Sequence, residues 1–95
     1  MKTDHMPLRE LLAFAQRNGA AEVHLKANGP IAILVKGVLR NLPFPKLGPA
    51  DVEAIVREEM RPAGEGASRF VVDGFGTIDA YLKAGEARLV LPPTR

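Results

Sequence analysis

The sequence predicts an α+β fold, PAS-like, in which two main helices pack on one face of an antiparallel sheet. Apolar residues recur at helical spacing in two segments, one around Leu11 and one around Ile55. Elsewhere apolar and polar residues alternate between short turn sequences, which indicates strands. The order is helix, strands, helix, strands. This segregation favours an antiparallel sheet over a parallel sheet with helices on both faces.

The first helix is predicted near the start of the chain. Its apolar positions follow the spacing i, i+3, i+4 and i+7, at Leu8, Leu11, Leu12 and Ala15. Pro7 suits a first turn, and Gly19 lies beyond the last one. The segment therefore predicts an amphipathic helix.

Three strands are predicted next. Alternation over residues 23–28 predicts the first strand, with Val23 and Leu25 on the face under the helices. Asn28-Gly29 predicts a hairpin turn before the run from Ile31 to Val35. A third strand follows Gly37 and ends at a connector, Leu42-Pro43-Phe44-Pro45, because proline breaks a strand ladder.

The second helix is predicted from Gly48-Pro49-Ala50-Asp51 onward. Its apolar face carries Val52, Ile55, Val56 and Met60, and Pro62 ends it. Residues 62–68 predict a loop. Strands are then predicted at 70–72, 77–83 and 88–91, with turns at Asp73-Gly74 and Ala84-Gly85-Glu86.

Length and composition limit the classes of function. Ninety-five residues with 46% hydrophobic content predict a single domain, residues 1–95. No apolar run approaches the roughly 20 residues of a membrane-spanning helix, and the start lacks a signal peptide, which predicts a cytoplasmic protein. The absence of cysteine excludes disulfides and thiolate metal sites. A net charge of +2 without a basic cluster does not indicate nucleic-acid binding.

No catalytic motif is present in the sequence. The phosphate loop G-x-x-x-x-G-K-[ST] does not occur, and Ser68 lacks a G-x-S-x-G context. Glu58 and Glu59 point about 100° apart on a helix, which predicts a solvated helix face and not a carboxylate pair. His24 has no metal-ligand spacing around it, which favours a strand residue on a half-exposed face. We expect no enzymatic activity, no cofactor and no metal.

Several motifs resemble the N-terminal domain of PilT-like and GspE-like ATPases of type IV pili and type II secretion. Gly19 to Leu25, after a helix containing Leu-Leu, resembles their "GASD-hydrophobic-HL" signature. Ile33 to Arg40 looks like the strand pair around "R-I-D-G-x-L-R", and Leu47 to Val52 is similar to the "L-T-P-E-D-V" helix opening. Ala87 to Pro93 is similar to the strand that ends the domain. The resemblance implies a PAS-like domain that packs on the nucleotide-binding domain of a hexameric motor.

This sequence departs from the family pattern at several positions. The motor domain with its phosphate loop is not in it, and "G-R-F-R" of a late strand is replaced by Gly76-Thr77-Ile78-Asp79. In the family, arginines of that strand and of the segment that follows the domain's last strand reach the nucleotide of an adjacent subunit. Here that segment carries only Arg95. The resemblance therefore implies a stand-alone, diverged domain without that arginine role.

The sequence thus predicts a non-catalytic protein-interaction domain that binds itself or a pilus or secretion component, such as a secretion ATPase. The candidate interaction residues are Glu22, His24, Lys26 and Arg40. An edge strand that stays unpaired would add to the sheet of another chain. The alternative is a PAS-like sensor that holds a small ligand between sheet and helices.

Overall fold

The computed structural model describes residues 7–64 and 68–92. These ranges contain two α-helices, α1 (Leu8–Arg17) and α2 (Pro49–Ala54), and α2 continues into a π-helical turn (Ile55–Glu59). The strands are β1 (Ala20–Lys26), β2 (Ala32–Val35), β3 (Val38–Asn41), β4 (Met60–Pro62), β5 (Arg69–Val72), β6 (Gly76–Lys83) and β7 (Glu86–Val90). The predicted α+β class is confirmed.

All seven strands form one antiparallel sheet in the order β3-β2-β1-β7-β6-β5-β4. The pairing of β1 with β7 joins the first three strands to the last four, with Val23 opposite Leu89. Both α-helices contact β1. The centre of the sheet therefore lies beneath the helices, and β3 and β4 form its two edges.

The core lies between the helices and one face of the sheet, which we call the inner face. The apolar positions predicted for α1 have exposures of at most 2%. Val23 of β1 and Leu89 of β7 are fully buried on the inner face, and Leu25 is 1% exposed. The predicted orientation of Val23 and Leu25 is confirmed. Burial of these side chains supplies the main driving force for folding.

The second helix is shorter than predicted, and Met60 does not belong to it. The backbone becomes extended at Met60, which pairs with Val72 as the first residue of β4. Met60 is 2% exposed, so it is buried in the strand just as it would be on a helix face. The apolar spacing alone could not distinguish the two. Pro62 is tolerated in β4 because an edge strand can lack one hydrogen-bond donor.

The two turns beside β2 have different geometries, and the one at Asn28-Gly29 differs from the prediction. Lys36 and Gly37 both have positive φ, 53° and 78°, and join Val35 directly to its partner Val38. This is the geometry of a two-residue type I′ hairpin. Asn28 has a φ of 63°, but residues 27–31 form a wider connection, so Asn28-Gly29 is not a two-residue hairpin turn.

The predicted loop at 62–68 is only partly described, because residues 65–67 lie outside the described residues, as does Arg95. Pro62 belongs to β4 and Arg69 begins β5. Within the described ranges, no helix has both the length and the apolar content to cross a membrane.

Candidate functional site

The sheet has a second face, on the side away from the helices, which we call the outer face. No helix of the described part of the chain packs against it. Because directly opposed residues share a face, its side chains form rows across the strands. The first row is Leu34, Glu22, Val90, Asp79 and Arg69. The second is Ala32, His24, Arg88 and Tyr81, and the third is Lys26, Glu86 and Lys83.

A polar network lies at the centre of the outer face. His24 Nε2 lies 2.9 Å from Glu22 Oε1, and Arg88 Nη1 lies 3.8 Å from the same oxygen. The Arg88 guanidinium also lies 4.8 Å from the centre of the Tyr81 ring, within cation–π distance. Arg88 is thus held between a carboxylate on one side and an aromatic ring on the other.

Charges of both signs alternate on the outer face. Lys26, Glu86 and Lys83 lie side by side on β1, β7 and β6, so one carboxylate separates two ammonium groups. Arg69 Nε lies 3.4 Å from Asp79 Oδ1. Nucleic-acid sites need clustered positive charge. The alternation on the outer face does not form such a cluster.

A shallow depression of about 500 Å³ opens beside the network. Its lining includes His24, Arg88 and Tyr81 together with Lys83 and Glu86. Tyr81 is 50% exposed, so its ring is accessible from solvent. The depression therefore presents a partly exposed aromatic ring beside an oriented guanidinium.

Three of the four predicted interaction residues lie on the outer face. Glu22, His24 and Lys26 occupy alternate positions of β1. Arg40 lies on β3 and does not join them. It is paired with Ile33 of β2, so it lies on the inner face at the edge of the sheet.

Arg88 and Tyr81 were not among the predicted residues. The alternation of buried Ala87 and Leu89 around Arg88 was the signal for its outward direction. However, the pairing of β7 with β1, which brings Arg88 to His24, is not visible in the sequence.

Glu59 is not part of a solvated helix face as predicted. Its Oε1 accepts a 2.6 Å hydrogen bond from the backbone N–H of Leu8, the first residue of α1. The first N–H groups of a helix have no partner within the helix, and a carboxylate there also interacts favourably with the helix dipole. Glu59 therefore links the π-helical turn to the start of α1.

A second, more apolar groove of about 440 Å³ lies between α2 and the turn that joins β6 to β7. Its lining includes Val52, Val56 and Leu82, of which Leu82 is 38% exposed. The alternative function, a sensor that holds a small ligand between sheet and helices, stays a prediction. No group of three or more His, Cys, Asp or Glu side chains that could hold a metal occurs within the described ranges.

Comparisons with known proteins identify the fold. No protein-family model matches the chain. The type IV pilus retractation ATPase PilT of Pseudomonas aeruginosa is 38% identical over 55 residues, which are 58% of this chain and 16% of PilT. A crystal structure of the pilus retraction motor PilT with bound ADP superposes with a TM-score of 0.64 at 20% identity, over 95% of this chain and 30% of that one.

The Legionella pneumophila ATPase DotB superposes with a TM-score of 0.62 at 13% identity, over 99% of this chain and 31% of DotB. The chain thus spans less than a third of the length of each of these proteins. The matched region is the N-terminal part of the ATPases. The predicted resemblance to the N-terminal domain of PilT/GspE-type ATPases is confirmed.

Proposed function

We propose that this chain, which has the fold of the N-terminal domain of PilT-type ATPases, is a non-catalytic domain that binds protein through the outer face of its sheet. Its partner is a subunit of a pilus or secretion ATPase, or a second copy of this chain. The proposal depends most on one observation. Arg88 is oriented by Glu22 and Tyr81 on a face that no described helix covers.

Two physical arguments support binding at this face. Arginine and tyrosine are enriched among the residues that dominate the energy of protein interfaces. An arginine already held between Glu22 and Tyr81 loses less side-chain entropy when a partner contacts it. The alternating charges of Lys26, Glu86 and Lys83 add specificity, because a partner must present the complementary order.

Site-specific photo-crosslinking tests the proposal. A benzoylphenylalanine at position 81 replaces one exposed aromatic ring with another and reports on the outer face. The matched control carries the same group at Glu53, an exposed position of α2. We expect position 81, and not position 53, to cross-link one protein of a pilus or secretion machine, or the chain itself.

Arg88→Glu should abolish the cross-link from position 81 while the circular dichroism spectrum stays unchanged, because Arg88 lies outside the core. Cross-links of equal yield from positions 81 and 53, or none from either together with monomeric sedimentation, would contradict the proposal. Hydrolysis of ATP by the purified chain would contradict its non-catalytic part.

A further inference from the structure

The edge strand β3 (Val38–Asn41) has backbone groups without partners. The Leu42 N–H donates to the Ile31 carbonyl at 2.7 Å, so residue 42 points toward β2. In an antiparallel ladder successive residues alternate in direction, so Val38 and Arg40 also bond toward β2. The N–H and C=O groups of Leu39 and Asn41 therefore point away from the sheet. No other described group bonds to them.

The side chains of β3 are also unusually apolar for an exposed edge. Val38 is 56% exposed and Leu39 is 52% exposed, the two highest values among the large hydrophobic residues described. A strand edge that combines open hydrogen-bonding groups with exposed apolar side chains is a template for pairing with another strand.

The charge around β3 is positive, which favours pairing with an acidic strand. Between Glu22 and Asp51 the sequence has no acidic residue but four basic ones, Lys26, Lys36, Arg40 and Lys46. Arg40 lies at the middle of the edge, and no described carboxylate is within salt-bridge distance of it. A strand carrying a carboxylate opposite Arg40 would supply the missing partner.

A second copy of the chain is a poor occupant of this edge. Pairing Leu39 with Asn41 of the other copy would use all the outward backbone groups, but it would put the two Arg40 side chains directly opposite each other. Like charges in that position destabilise a strand pair. In a shifted pairing, Leu39 of one copy would lie opposite Leu39 of the other. This register separates the two arginines, but it leaves the backbone N–H and C=O of Asn41 without a strand partner.

We propose that β3 accepts an extended segment of a partner protein, with a carboxylate opposite Arg40 and an apolar residue opposite Leu39. This inference rests on the proposed protein-binding function and adds the chemistry of the partner. Arg40 has two effects in this arrangement, because it attracts an acidic strand and prevents β3 from pairing with its own copy.

Amide hydrogen exchange of the full chain tests the proposal. The probe is a blocked seven-residue peptide with a central glutamate flanked by valine and threonine. In the free chain the amides of Leu39 and Asn41 should exchange fast and that of Arg40 slowly. The peptide should slow exchange at Leu39 and Asn41. A peptide N-methylated on the amides that would face β3 should not.

Charge reversal provides the matched variants. Arg40→Glu should weaken binding of the glutamate peptide about tenfold, since attraction is replaced by repulsion, and should strengthen binding of a lysine-centred peptide. Lys46→Glu makes the same change of charge outside β3 and should alter the affinity less than about twofold. Equal effects of the two variants would overturn the proposal.

Three further outcomes would overturn this inference. One is peptide binding that perturbs His24 and Arg88 but not β3. Another is protection of Leu39 by self-association without peptide. The third is displacement of the peptide by a DNA oligonucleotide that binds more tightly. None of them removes the cross-link from position 81, so failure of the edge and failure of the outer face are distinguishable.

Discussion

The inner and outer faces of the sheet are built by the same strands but are held together differently. On the inner face Val23 and Leu89 are fully buried against the helix layer. On the outer face the side chains of His24 and Arg88 keep exposures of 35% and 50%, and each lies within 4 Å of Glu22 Oε1. Alternation along each strand therefore gives the sheet one buried face and one exposed face. One face stabilises the fold, and the other carries the exposed side chains on which the proposed protein binding depends.

The largest expected effect comes from truncating the inner face. Leu89→Ala leaves a cavity at the centre of the sheet and should lower the free energy of unfolding by about 2–5 kcal/mol. Arg88→Ala changes the adjacent residue of the same strand on the other face and should cost less than about 1 kcal/mol. Urea denaturation of both variants measures the difference. Similar losses would show that the outer face also carries the stability of the fold.

A smaller effect is expected from the polar link within the helix layer. Glu59→Ala removes the acceptor of the Leu8 N–H and should cost about 1–2 kcal/mol, since the donor is part-buried. The exposed neighbour Glu58 provides the control, and Glu58→Ala should stay within about 0.5 kcal/mol of the parent. If thermal denaturation shows equal shifts for both variants, the capping role of Glu59 is wrong.

Local patterns in the sequence predict most of this fold. Alternation gave the inward direction of Val23 and Leu25, and helical spacing gave the buried face of α1. The pattern failed at Met60, because burial on a helix and burial in a strand require the same apolar residue. Only pairing with Val72, twelve residues away, makes Met60 part of a strand.

The candidate site was less predictable because it depends on pairing between distant strands. Glu22, His24 and Lys26 share a face through their spacing on one strand, which the sequence contains. Arg88 reaches them only through the pairing of β7 with β1. Arg40 lies on the other face because the two-residue Lys36-Gly37 turn fixes the register of β3 so that Arg40 is paired with Ile33. The register between distant strands is a tertiary property, and a shift of one residue moves every side chain of a strand to the opposite face of the sheet.

The smallest expected effect concerns the order of the outer face itself. A double-mutant cycle of Arg88→Ala and Tyr81→Ala should give a coupling free energy of about 0.5 kcal/mol, because an exposed cation–π contact is worth roughly 0.5–1 kcal/mol. The cycle of Arg88→Ala with Glu22→Ala should give less, since those charges lie 3.8 Å apart at a half-exposed site.

The dependence on salt distinguishes the Glu22–Arg88 coupling free energy from that of Tyr81–Arg88. Added sodium chloride should reduce the Glu22–Arg88 coupling more than the Tyr81–Arg88 coupling, because an exposed ion pair is screened within a few ångströms at high salt. A Tyr81–Arg88 coupling of zero would mean that the ring does not orient the guanidinium. Under the proposed function, a partner would then have to order Arg88 on binding, at the full entropic cost of its side chain, and the outer face would not be a preformed site.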